Sequence, residues 1–209
     1  MLAFRTVTYC TENEETPGGP LQRILRPAEL EQQKLVNTLH QRALFSEPRL
    51  FDSTKGMESG IEESALFLEQ DRGAGIRLDE RGALVVRLPL EEPIRRKHSG
   101  FTGFALIQEI VVEKLTAAIA YADWALEQID PTQRLTHVAL AARINASDHM
   151  GWRTQAEDDA SPNSITMGFG GNDEKPPVSV DLPRAALRFD AARLAEDLMV
   201  PLRRQRKTK

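Results

Sequence analysis

The chain has 209 residues, 41% of them hydrophobic and 28% charged, a balance that excludes wholesale disorder and is enough for one well-filled core. Its formal net charge is −4, yet Arg203, Arg204, Arg206, Lys207 and Lys209 form a tail without an acid; the remaining body is therefore about nine units negative, which argues against a broad basic nucleic-acid face. No uncharged run reaches the roughly 18 residues of a membrane span, the opening MLAFRTVTYC lacks the apolar core of a secretory signal, and the one cysteine, Cys10, has no intramolecular partner, so the reading is a cytoplasmic protein.

Up to residue 60, turn-forming residues such as Pro17-Gly18-Gly19-Pro20 surround a single convincing helix, from about Pro27 to Phe45. Leu35, Val36, Leu39, Ala43 and Leu44 form its apolar stripe, against Glu29, Glu31, Gln32 and Arg42. Ser46 to Gly60 then reads as a connector. These residues, 1–60, are expected to be a mostly helical leader, and residues 61–209 a better-defined domain.

Ile76 and Leu78 share parity with Leu84, Val86 and Leu88, and Asp79-Glu80-Arg81-Gly82 between them supplies a turn, which predicts a β-hairpin. Pro89 and Pro93 end it. Arg95-Arg96-Lys97-His98-Ser99-Gly100 leads into a predicted helix from Thr102 to Ile129, with Ser99 or Thr102 as cap. Ile107, Val111, Leu115, Ala118, Ala122, Ala125 and Ile129 make one stripe of that helix, and Leu106, Ile110, Tyr121 and Trp124 a second. A helix apolar on nearly every side must be packed on both flanks, by its own domain or by a partner.

Pro131 stops the helix. Val138, Leu140, Ala142 and Ile144 alternate with small residues and predict a strand covered on both faces. Further strands are expected at Ile165 to Phe169 and Val178 to Leu182, the latter extended by Ala185 to Leu187, followed by a helix capped by Asp190 and kinked or frayed at Pro201. The resulting order predicts an α+β fold: an antiparallel or mixed sheet of about five strands, covered by the long central helix and a C-terminal helix.

Chemical motifs are sparse. Gly168-Phe169-Gly170-Gly171-Asn172 fails both the phosphate-loop and the dinucleotide patterns and reads as a turn. His40, His98, His137 and His149 lack zinc-ligand spacing, and Glu157-Asp158-Asp159 with Asp173-Glu174 reads as solvated loop charge rather than a cation site, so neither metal nor cofactor is expected. Ser147, Asp148 and His149 have the residue types of a hydrolytic site without its elbow motif, and read as a polar turn anchored by Met150 and Trp152. Glu109 and Glu113 share a helix face and are expected to line a solvent edge or to meet Arg77 or Arg87.

Two basic clusters are candidate anion sites: Arg95, Arg96 and Lys97 at a glycine-containing helix entrance, and Arg203, Arg204 and Arg206 at the C-terminal end. With catalytic patterns failing and amphipathic elements plentiful, the sequence favours a noncatalytic protein-binding or assembly protein. Its partner is expected to be another protein or a second copy, with nucleic acid less favoured. The competing expectation is a hydrolase-like enzyme with a site between sheet and long helix, assembled from residues such as Glu109, Glu113, His137 and Asp148.

Overall fold

The computed structural model describes residues 2–9, 29–45, 49–62, 65–71, 74–79, 82–90, 105–133, 135–145, 151–161 and 177–205, with backbone only for 2–9 and 29–33. In chain order the elements are β1 (Leu2–Tyr9), α1 (Glu29–Phe45), β2 (Met57–Glu62), β3 (Ala65–Gln70), β4 (Gly75–Leu78), β5 (Leu84–Leu88), β6 (Leu106–Ile107), α2 (Gln108–Ile129), β7 (His137–Ile144), β8 (Trp152–Arg153), α3 (Gln155–Ala160), β9 (Val178–Pro183), α4 (Ala185–Phe189) and α5 (Ala191–Gln205). Seven strands form one sheet in the order β2-β3-β4-β5-β1-β7-β9, each pair antiparallel. The fold is α+β, as the pattern of hydrophobic residues predicts.

Strand alternation sets the core face. Leu66, Leu68, Ile76, Leu78, Leu84, Val86, Leu88, Val138, Leu140, Ala142 and Ile144 are buried together with the apolar residues of α1, α2 and α5. Helix α2 lies against this face and is flanked by α4 and α5, which is how its apolar girth is kept from water. Val111, Leu115, Ala118, Ala122, Ala125 and Ile129 are all buried, and the alanines of the stripe leave room for close neighbours. On α1, Val36, Leu39 and Ala43 are buried. Tyr121 reaches from α2 to donate its hydroxyl to the Leu39 carbonyl at 3.2 Å.

The predicted hairpin is β4–β5, with Leu78 opposite Leu84 and Gly82 at φ 79° in the turn. The Ala83 N–H donates to Asp79 Oδ1 at 2.8 Å and closes the turn with a side-chain acceptor. Gly75 serves a different purpose. It lies between Glu69 and Arg87 in the cross-strand row, and the Arg87 guanidinium passes over it to pair with Glu69. A Cβ there would stand 3.1 Å from Arg87 Nη2.

Several boundaries differ from expectation. The long helix starts at Gln108, not Thr102. Leu106–Ile107 pairs in parallel with Trp152–Arg153, and Ile107 is the extended N-cap, without a side-chain cap bond, in place of Ser99 or Thr102. An apolar run satisfies either conformation, and here the extended one gains backbone partners. The expected connector contains a strand from Met57 onward, paired with β3 along Met57–Glu62. Leu2–Tyr9, which carried no strand expectation, lies between β5 and β7.

Near the C-terminal end, Ala185–Phe189 is a short helix rather than an extension of β9, with Arg184 already in helical conformation. Helix α5 continues through Pro201 to Gln205, because Leu202 beyond the proline is buried in the core. The predicted strand at Ile165 to Phe169 lies outside the described residues. Among the described residues no helix is long and apolar enough to cross a membrane.

Candidate functional site

Two carboxylates interrupt the C-terminal half of the otherwise apolar α2. Asp123 and Glu127 are one turn apart and so share a face, and α4 lays Arg188 across both. Arg188 Nε is 3.3 Å from Asp123 Oδ2, and its Nη2 pairs with Glu127. The Arg188 side chain is 44% exposed, Asp123 16% and Glu127 36%, so the clasp sits at the protein surface with one partner sunk beneath it.

The clasp divides two clefts, each about 400 Å³, which both include Asp123, Glu127 and Arg188 in their walls. On the α1 side the wall is completed by Arg42, Ala120, Trp124, Leu187 and Ala191. The Arg42 guanidinium stands 5.6 Å from the Trp124 ring centroid, a cation–π contact, and Trp124 in turn leans on Tyr121 at 5.7 Å between centroids. Burial pushes the Tyr121 hydroxyl well above the ordinary tyrosine range, so it stays protonated and donating.

On the β9 side, Gln133, Leu135, Thr136, Pro183, Arg184, Ala185 and Phe189 line the second cleft. Its floor is pinned by a buried ion pair. Arg184 Nη1 donates to Asp130 Oδ2 at 2.9 Å and to the Asp130 carbonyl at 3.2 Å, while the same carboxylate oxygen accepts the Leu135 N–H at 2.9 Å. Arg184 Nη2 is buried without a hydrogen-bond partner. Gln133 holds φ 53°, the left-handed region, to complete the turn between α2 and β7.

Phe189 ends α4 at the rim of this cleft and is 78% exposed, while Phe45, one turn beyond Arg42 on α1, is 64% exposed. A scattered surface apolar residue is ordinary. Phe189 is distinguished by lining the second cleft, whereas Phe45 lines neither cleft.

The residues proposed from sequence lie elsewhere. Glu109 Oε2 accepts the Gln155 N–H at 2.9 Å at the N-terminal end of α2, whereas His137 follows its C-terminal end beside Thr136. A helix of 22 residues holds these ends roughly 30 Å apart at 1.5 Å per residue, so Glu109 and His137 do not converge, and Asp148 lies outside the described residues. Arg87 pairs with Glu69 rather than with Glu109 or Glu113.

The acids of 157–159 are engaged by α3 and the two residues before it. Glu157 and Thr154 form a capping box, which lowers the Glu157 carboxyl through bonds from the Thr154 backbone and side chain. Asp158 is buried against Arg153 at 3.1 Å, and Asp159 accepts from Gln155. No group of three or more histidine, cysteine or acidic side chains able to hold a metal occurs among the described residues.

Of the basic clusters, Arg203 and Arg204 are exposed in the last turn of α5, where cations complement the helix terminus. Arg206 and the whole of Arg95, Arg96 and Lys97 lie outside the described residues, as do Cys10, His98, Ser147 and His149.

Asp123, Glu127, Arg184, Arg188 and Phe189 were not among the candidates read from the sequence. The available signal was the i, i+4 pair of acids on a helix that has no other reason to carry them there. No known family model matches the chain, and comparison with curated proteins and with solved structures finds no match either.

Proposed function

We propose that the chain is a noncatalytic protein-binding or assembly protein, and that it docks its protein partner on the surface shared by α2, α4 and the end of β9. The observation that carries this reading is Phe189, 78% exposed beside a cleft of about 400 Å³ whose walls mix Leu135 and Pro183 with Arg184 and Arg188. An exposed aromatic anchor next to the half-exposed Arg188 is the composition of an interface centre, since tyrosine, tryptophan, phenylalanine and arginine are the side chains enriched there. The clasp of Arg188 by Asp123 and Glu127 supports the same reading, because it orders the charged groups before a partner arrives.

The reading places this activity in the cytoplasm, with the single cysteine as its support. A hydrolytic role draws no support from the geometry, since Glu109 and His137 stand at opposite ends of α2.

The test is photo-cross-linking in cells with the full chain carrying a benzophenone side chain at position 189. Covalent adducts to protein are expected there, and none from the same probe at Ala156, an exposed position on α3 at the far end of α2. Absence of adducts at 189, or equal yields at both positions, contradicts the reading.

A further inference from the structure

We draw no further inference here: the strongest candidate, the exposed Phe189 ring and the cleft beside it between α4 and the end of β9, carries nothing beyond the docking surface already described, because the arginines in its walls are paired with Asp130, Asp123 and Glu127 and nothing in the structure shows what covers it.

Discussion

Arg184 and Asp130 form an ion pair at 2.9 Å in which neither side chain is more than 7% exposed. The pair ties the end of β9 to the turn after α2, since Asp130 also holds the Leu135 N–H and the Arg184 N–H donates to the Thr136 carbonyl. Removing one member strands a charge in the interior, which costs more than the pair contributes. Asp130→Ala is expected to lower stability by about 3–5 kcal/mol, read from urea denaturation. A loss below about 1 kcal/mol, the range of exposed pairs, would show that the site is wetter than its burial indicates.

Tyr121 gives the pH dependence. Its hydroxyl is buried and its pKa is raised, so the folded state holds a proton that the unfolded chain releases near the ordinary tyrosine value of 10.0. The contribution is therefore complete below about pH 10 and declines as pH rises above it. Tyr121→Phe should flatten that alkaline decline, at a cost near neutrality of about 0.5–1.5 kcal/mol for the lost bond to the Leu39 carbonyl. Parallel stability profiles for the two proteins from pH 9 to 11 would sink the assignment.

Two turn residues in the left-handed region should respond oppositely. Gly82, at φ 79°, closes the β4–β5 turn, and Gly82→Ala is expected to cost about 1–2 kcal/mol. Gln133, at φ 53°, already bears the strain, so Gln133→Gly should leave stability level or raise it by up to about 1 kcal/mol, the relieved strain being partly offset by the glycine's entropy. Melting temperatures of the two variants shifting in the same direction would contradict this.

Leu115 and Leu126 are wholly buried on α2, facing the sheet and the flanking helices. Either residue changed to alanine should cost about 2–5 kcal/mol, through lost transfer energy and the cavity left behind. Ala118 tests the converse, since Ala118→Leu forces side chains into a filled space and should cost about 1–3 kcal/mol. A neutral Ala118→Leu in chemical denaturation would mean that the helix is less tightly enclosed than described.

What was legible in the sequence follows from where the information sits. The stripes of α1 and α2 and the alternation of Ile76 to Leu88 are local patterns, and they gave those elements within a few residues. Leu2–Tyr9 becomes a strand through β5 and β7, more than 70 residues distant, and nothing within the segment names those neighbours. Met57–Glu62 is a sheet edge with no fully buried residue, and its glycine and two glutamates resemble a loop. The candidate site was illegible for a related reason. Arg42, Asp123 and Arg188 come from three helices, and only the packing of α1 and α4 against α2 brings them to one surface.

Hydroxyl-radical footprinting of the five large apolar side chains exposed on the described surface, Phe45, Ile61, Val180, Phe189 and Val200, tests the docking surface most directly. Between dilute purified protein and the same chain in its native extract, labelling of Phe189 is expected to fall severalfold, while Ile61 and Val200 stay as reactive as before. Undiminished labelling of Phe189, or protection that falls on Ile61 and Val200 instead, would contradict the assignment of the surface around α4, α2 and the end of β9 as the place where this protein meets its partner.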